Sequence, residues 1–339
     1  MGQTPLYVNL PLFILGLYII VKGSDLFLDN AVWIARASGV PQIVIGATLV
    51  SICTTLPELV SSTTASIKGA VDMAVGNAVG SIICNTGFIL GMMLLFIVAR
   101  ANRQVFFIKG AFMLGSILGA FLLVLPGEGS PGVFRLERAN GVLLLTFFAV
   151  YLMVNVYESQ QEFSTSQGER EEPAPPKAPA QQWRRHWSLF FIGAVMVGCG
   201  AYLLVEFGQR MARDLGVKEA VISLVFIAFG TSLPELATAV SAVRKKAEQI
   251  SVGNIFGANV MNILLVIGSS STIRPMTLDD NYLAMFDLPV AFCLCSIAFC
   301  SGLFGGRMGR RTGIVLIALY VAYLASMVIL GRIGVPSVP

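Results

Sequence analysis

Long apolar runs separated by short polar segments dominate the chain. Ten of them are long enough to cross a hydrocarbon core about 30 Å thick, which takes about 20 helical residues. They lie at residues 6–22, 40–67, 73–98, 105–125, 139–157, 187–207, 217–243, 250–270, 282–304 and 312–331. The pattern predicts an all-α integral membrane protein with ten transmembrane helices.

The composition agrees with a chain that lies mostly in lipid. Only 12% of the 339 residues are charged, compared with about 25% in an ordinary soluble domain. The formal net charge of +4 is too small to indicate a nucleic-acid partner. The six cysteines lack metal-cluster spacing, and the single histidine excludes a His-rich zinc site. We therefore expect the lipid bilayer as surroundings, no cofactor and no obligate protein partner.

An internal repeat relates the two halves of the chain. Residues 39–91 and 216–268 align without a gap at a constant offset of 177, with 18 of 53 positions identical. The identities include Pro-Glu and Gly-Asn pairs, which shared apolar composition would not produce. We expect a first five-helix repeat at 1–157, a flexible linker at 158–186 and a second five-helix repeat at 187–339. An odd number of helices per repeat inverts the second repeat, an arrangement common in secondary transporters.

The basic residues predict how the chain is oriented in the cell membrane. With ten spans, eight Lys and Arg residues fall on the side of the N-terminus and fifteen fall on the opposite side. The side richer in basic residues is cytoplasmic by the positive-inside rule. Both termini are therefore expected outside and the central linker in the cytoplasm.

Two Pro-Glu motifs, TTLPEL at 54–59 and TSLPEL at 231–236, interrupt apolar runs. Pro57 and Pro234 each remove a backbone donor and break the helix, which frees carbonyl groups that lipid cannot satisfy. Glu58 and Glu235 lie beside these breaks, and an ionised carboxylate at the bilayer centre costs several kcal/mol. No Lys or Arg lies at matching depth in the repeat spans. The missing positive charge is therefore mobile, either a proton or a metal ion.

The polar residues around these glutamates indicate which ions fit. Hydroxyl and amide groups lie within the motifs and 27 residues after each glutamate, at Thr54, Thr55, Thr231, Ser232, Asn85 and Asn262. Oxygen ligands of this kind suit Ca²⁺ and Na⁺ rather than soft metals. Two carboxylates neutralise one Ca²⁺ or two monovalent ions, which makes exchange at one shared site reasonable.

Two glycine motifs indicate how the spans meet. VGNAVG at 75–80 and VGNIFG at 252–257 both carry the Gly-x-x-x-Gly spacing that lets membrane helices approach closely. Close packing alone would explain these glycines, and it would also bring Asn85 towards Glu58. Asn77 and Asn254 within the motifs are expected to cap or bridge helices.

These motifs together resemble the alpha repeats of the cation/calcium antiporter superfamily, in its sodium/calcium exchanger branch. The residues that carry the resemblance are GATLVSICTTLPELVSS with AVGNAVGS, and FIAFGTSLPELATAVS with VGNIFGANVMN. The resemblance implies Ca²⁺ export in exchange for Na⁺ by alternating access. By position, it adds ion ligands at Ser51 and Ser81 in the first repeat. In the second it adds the carbonyl of Ala228 and the position of Ala258.

Three positions depart from this family pattern and leave alternatives open. Asn262 and Ala258 stand where sodium-coupled members often carry Asp and Ser, which puts a three-sodium stoichiometry in doubt. Ile82 stands where the second repeat keeps a polar residue, Asn259.

Ca²⁺/H⁺ antiport and exchange of another divalent cation are the alternative transporter functions. An intramembrane enzyme with the two glutamates as an acid/base pair would not need the surrounding oxygens, and broken helices in inverted repeats favour a carrier over a channel.

Overall fold

The computed structural model describes residues 6–99, 103–124, 134–168, 179–214, 230–278 and 283–329. The helices in these ranges are α1 (Leu6–Ser38), α2 (Gln42–Thr54), α3 (Leu56–Ile67), α4 (Val71–Phe96), α5 (Arg103–Val124), α6 (Arg138–Gly168), α7 (Ala180–Asp214), α8 (Leu233–Lys245), α9 (Glu248–Ile273), α10 (Leu283–Gly305) and α11 (Arg310–Ile329). Two short strands, β1 (Phe134–Leu136) and β2 (Met276–Leu278), pair antiparallel with Arg135 opposite Thr277.

The helices confirm an all-α, multi-pass membrane protein. Within the described ranges, eight helices are long and apolar enough to span a bilayer, and α2 and α3 together form one further, bent span. The predicted span at 217–243 is described only from Gly230 onward, so the count of ten stays a prediction. The most central span is α9, of which 94% of the most apolar stretch is buried inside the protein.

The internal repeat is visible in the backbone of α4 and α9. Each helix changes to π-helical hydrogen bonding part-way along, over Cys84–Leu90 in α4 and Asn262–Ile267 in α9, and then returns to α-helix. The helical segments that follow begin at Gly91 and Gly268, which are separated by the offset of the repeat. Single-turn π segments often occur at functional sites, and the sequence analysis did not foresee them.

The packing of α2 against α9 shows that the repeats are inverted. Gly253 lies against the carbonyl of Ile43, and Gly257 lies against that of Ala47, so the two helices run in the same direction. Helix α4 follows α3 after a tight turn around Gly69 and runs back along it. Since α4 and α9 are equivalent in the repeat, they cross the membrane in opposite senses. The glycines of the second motif make this approach possible, as predicted.

The region predicted as a flexible linker is partly helical. Helix α6 continues to Gly168 and α7 begins at Ala180, so both ends of the segment 158–186, which the sequence predicts to be a flexible linker, are helical. At the start of α7, the Trp183 ring packs edge-on against Trp33 of α1, and the His186 ring stacks on Trp33 with centroids 3.7 Å apart. These aromatic contacts pack the end of the predicted linker against α1.

Candidate ion-binding site

The first Pro-Glu motif breaks its span as predicted. Helix α2 ends at Thr54, α3 begins at Leu56, and the two helices bend by 45°. Thr55 lies between them with φ −83° and ψ −4°. In the second repeat Ser232 has nearly the same backbone, φ −87° and ψ 6°, before α8. Each proline occupies the first turn of the following helix, where its missing N–H costs nothing.

Glu58 and Glu235 lie in the first turns of α3 and α8 and are buried, with relative exposures of 0% and 1%. The positive ends of both helix dipoles therefore face the carboxylates. The two groups are near enough to repel each other when ionised. No ion pair among the described residues includes either of them. Helix dipoles alone do not offset two buried charges, so the site requires an added cation or protons.

Hydrogen bonds between equivalent residues join the repeats beside the carboxylates. The Thr54 hydroxyl donates to Asn254 Oδ1 at 3.0 Å, and the Thr231 hydroxyl donates to Asn77 Oδ1 at 3.3 Å. The two hydrogen bonds are equivalent, because the repeat relates Thr54 to Thr231 and Asn77 to Asn254. The bridging role predicted for Asn77 and Asn254 is confirmed, and it holds each helix break against the opposite repeat.

A set of buried oxygen atoms in this region has no hydrogen-bond partner among the described residues. They are Thr55 Oγ1, Glu58 Oε2, Asn85 Oδ1, Ser232 Oγ, Glu235 Oε1, Glu235 Oε2 and Asn262 Oδ1. A buried polar atom without a partner costs about 1–3 kcal/mol. All seven belong to residues predicted as ligands, and all are hard oxygen donors that a cation would satisfy.

The remaining predicted ligands have different surroundings. The Ser81 hydroxyl donates to Glu58 Oε1 at 3.5 Å, which places it beside the first carboxylate. The Ser51 hydroxyl donates to the Thr48 carbonyl at 3.2 Å, and the Ser51 carbonyl accepts from the Thr55 N–H at 2.9 Å. Ala258 is fully buried in α9. Ala228 lies outside the described residues.

The sequence analysis did not assign a role to Asn259. This residue is fully buried and accepts a hydrogen bond from the Asn85 side chain, with Asn85 Nδ2 3.4 Å from Asn259 Oδ1. Asn259 is three residues before Asn262, and Ile82 stands at its equivalent position in the first repeat. Aligning the two repeats shows that a polar residue stands at 259 and an apolar one at 82. Nothing in the sequence indicates that Asn259 contacts Asn85.

Comparisons with known proteins agree with this architecture. The family model described as sodium/calcium exchanger protein matches residues 8–157 and 185–329. The chain is 31% identical to the sodium/calcium exchanger MaX1 of Methanosarcina acetivorans, over 94% of this chain and 97% of that protein. It is also 31% identical to the putative antiporter CaxA of Alkalimonas amylolytica, over 91% and 95%.

Solved structures of the sodium-calcium exchanger NCX_Mj have the same fold. The form soaked with 10 mM Na⁺ and zero Ca²⁺ matches with a TM-score of 0.81 and 27% identity, covering 95% of this chain and 100% of that one. A form soaked with 2.5 mM Na⁺ and 0.1 mM Ca²⁺ matches with a TM-score of 0.79. The family model, the full-length relatives and the shared fold agree, and this chain belongs to the sodium/calcium exchanger family.

Proposed function

We propose that the chain exchanges Ca²⁺ for Na⁺ across the cell membrane by alternating access at one site shared by the two repeats. Glu58 and Glu235 supply the negative charge, and the hydroxyl, amide and carbonyl oxygens around them complete the coordination. The membership of the exchanger family and the printed names of its relatives support Ca²⁺ and Na⁺ as the transported ions. In this role the protein is a transporter and not an enzyme.

The observation that carries the proposal is the set of buried oxygen atoms without hydrogen-bond donors around two uncompensated carboxylates. Burial without donors is unfavourable for the protein alone. A bound Ca²⁺ or a pair of Na⁺ ions would balance the charge and satisfy the oxygens. Because the ligands come from both repeats, a relative movement of the repeats would expose the site to one side at a time.

Uptake of radioactive Ca²⁺ into proteoliposomes tests the proposal. The purified full-length chain is reconstituted, and uptake is driven in turn by an outward Na⁺ gradient and an outward H⁺ gradient. We expect uptake with the Na⁺ gradient alone. Absence of Ca²⁺ flux under both gradients would overturn the assignment of the substrate.

Proton coupling is the second candidate, and the carboxylates themselves favour it. Two buried glutamates without a basic partner among the described residues can each bind a proton in place of Na⁺, and that exchange also balances the charge of one Ca²⁺. Uptake driven by the H⁺ gradient alone would assign Ca²⁺/H⁺ antiport to the same two residues.

We also propose that both termini face outward and that the segment between α6 and α7 is cytoplasmic, as the Lys and Arg distribution predicts. A single cysteine introduced by Ala174→Cys, in a chain whose six native cysteines are replaced, tests the orientation. A maleimide reagent that cannot cross membranes should label it in inside-out vesicles but not in intact cells. Labelling in intact cells would reverse the topology.

A further inference from the structure

Asn259 lies at the centre of a small polar cluster that joins four helices. Its side-chain nitrogen is 2.7 Å from the Thr86 hydroxyl of α4, 3.6 Å from the Cys295 sulfur of α10 and 3.6 Å from the Met113 sulfur of α5. On the other side, its carbonyl oxygen accepts from the Asn85 amide at 3.4 Å. All five residues are at most 1% exposed.

The chemistry of the cluster fixes which way the Asn259 amide points. The Thr86 hydroxyl and the Cys295 thiol can each donate or accept a hydrogen bond, so they favour neither orientation. The Met113 thioether can only accept. The end of the amide that faces Met113 must therefore be the nitrogen, and the oxygen must face Asn85.

The orientation of Asn259 in turn determines that of Asn85. An oxygen that faces Asn85 requires a donor there, so the Asn85 nitrogen turns towards Asn259. The Asn85 oxygen then lies on the opposite side of its amide, where it is buried and has no donor among the described residues. Were Asn85 reversed, its N–H groups would repel a cation and would bind the carboxylate oxygens instead.

The equivalent arrangement is impossible in the other repeat. The position related to Asn259 is Ile82, a fully buried apolar side chain that cannot orient Asn262 by hydrogen bonding. The two asparagines are therefore not equivalent, although the backbone around them is. Asn85 is therefore oriented by a hydrogen bond to Asn259, and Asn262 has no asparagine at the equivalent position to orient it.

We propose that Asn259 is a positioning residue that holds the Asn85 oxygen towards the transported ion, and that Met113 and Thr86 hold Asn259 in turn. The inference rests on the proposed function, because it concerns the same ion-binding site. In this proposal the Asn259 side chain does not contact the ion. It acts by fixing the orientation of the Asn85 amide.

The test compares Ca²⁺ uptake by the full-length chain and its Asn259→Leu variant in proteoliposomes, across a range of Ca²⁺ concentrations. Leucine keeps a similar volume but removes the acceptor, so the Asn85 N–H groups become free to bind the site carboxylates. We expect KM for Ca²⁺ to rise about tenfold, because the Asn85 oxygen is no longer held towards the ion and one proposed ligand is lost. Asn140→Leu on α6 is the matched control with unchanged KM, because among the described residues the Asn140 amide donates to the backbone carbonyl of Leu123 on α5.

A double variant separates positioning from general packing. If Asn259 acts through Asn85, then Asn259→Leu has no further effect on KM in an Asn85→Ala background. Multiplying effects on KM, or an Asn259→Leu variant within about twofold of the wild-type KM, would overturn the inference. Should Asn259→Leu not fold, Thr86→Val replaces it, and a wild-type KM for Thr86→Val would overturn it equally.

The wild-type chain in the same assay distinguishes this inference from the function on which it rests. A wild type that carries no Ca²⁺ under either an Na⁺ or an H⁺ gradient overturns both. A wild type that carries Ca²⁺ together with an unaffected Asn259→Leu variant overturns the positioning role alone.

Discussion

At the scale of single residues, Glu58 and Glu235 dominate the electrostatics of the site. Both are buried, come from equivalent positions and lack a cationic partner among the described residues. The uncharged residues proposed as ligands, such as Thr55 and Ser232, cannot replace them, because a neutral site does not offset the dehydration of a divalent cation. The transport activity should therefore depend on both carboxylates, and neither should substitute for the other.

We predict that Glu58→Gln and Glu235→Gln each abolish Ca²⁺ uptake while the protein still folds. The amide has the same shape as the acid but removes one negative charge from the site. The measurement is radioactive uptake together with elution as a single peak in size-exclusion chromatography. Glu206→Gln, which changes a partly exposed residue paired with Arg210 on α7, is the matched control. Normal uptake by either site variant would exclude the shared-site mechanism.

The sequence predicted all the residues near Glu58 and Glu235 that carry the seven oxygens without a hydrogen-bond donor, because their types are unusual in a membrane and lie at or beside two motifs that repeat at one offset. It did not predict Asn259. Asparagine in a span is informative only when its neighbours are known, and those neighbours, Thr86, Met113 and Cys295, come from three other helices. Their distances to Asn259 depend on packing that no local pattern encodes.

At the scale of elements, the contact between α2 and α9 depends on glycine. A Cβ atom at Gly253 would overlap the Ile43 carbonyl and lie 3.0 Å from the Ala47 N–H nitrogen. Both contacts are to backbone, which cannot rotate away as a side chain can. Since α2 and α9 carry predicted ligands from opposite repeats, their separation also sets the size of the ion site.

We predict that Gly253→Ala lowers the melting temperature in detergent and impairs transport. Overpacking of a close contact costs about 1–3 kcal/mol, and here it also moves two ligand-bearing helices apart. Gly115→Ala on α5, where no described atom lies within 4 Å of the added methyl group, is the control. Equal melting temperatures for the two variants would show that the helices can separate without cost.

A buried ion pair joins α5 and α6 away from the ion site. Lys109 contacts both Glu158 and Asn155, and the side chains of Lys109 and Glu158 are 1% and 8% exposed. One turn before Asn155, the Tyr151 hydroxyl donates to the Ala47 carbonyl at 2.7 Å. Ala47 lies in the π-helical turn Gly46–Val50 of α2, so α6 supports the helix that leads to the first break.

Lys109→Met should destabilise the protein by about 3–5 kcal/mol, because it leaves the Glu158 charge buried without its partner. The double variant Lys109→Met/Glu158→Gln should recover much of that loss. Arg210→Met, which breaks the exposed pair with Glu206, should cost about 1 kcal/mol or less. Chemical or thermal unfolding in detergent measures all three. A double variant as unstable as Lys109→Met would refute the electrostatic explanation.

Some features of the helices could be predicted from the sequence and others could not. The apolar runs predicted where the helices lie, and Pro57 predicted the break at Thr55. Helix α1 extends to Ser38, well beyond the predicted residue 22, and in this extension Asp25 and Asp29 pair with Lys245 of α8. The π segments at Asn85 and Asn262 depend on how α4 and α9 pack, and apolar patterning does not encode them.

At the scale of the whole molecule, the internal repeat and the expected odd number of spans per half predicted the inverted architecture. The packing of α2 parallel to α9 confirms the inversion. Orientation in the membrane depends on Lys and Arg in the connecting segments, so it is predicted from the sequence by the positive-inside rule.

The count of carboxylates in the site also limits how far the carrier can drive calcium. With asparagine at 262, the proposed ligands include two carboxylates, which one Ca²⁺ or two Na⁺ ions would balance. We predict that exchange with Na⁺ is electroneutral, so that clamping the membrane potential at different values leaves the uptake rate unchanged. A rate that rises when the vesicle interior is made more positive would require a third sodium ion, because three Na⁺ leaving for one Ca²⁺ entering carry one positive charge outward. An electroneutral carrier draws nothing from the membrane voltage. The calcium gradient that it can maintain is then the square of the sodium gradient, and a cell that loses its sodium gradient while keeping its voltage would lose calcium export altogether.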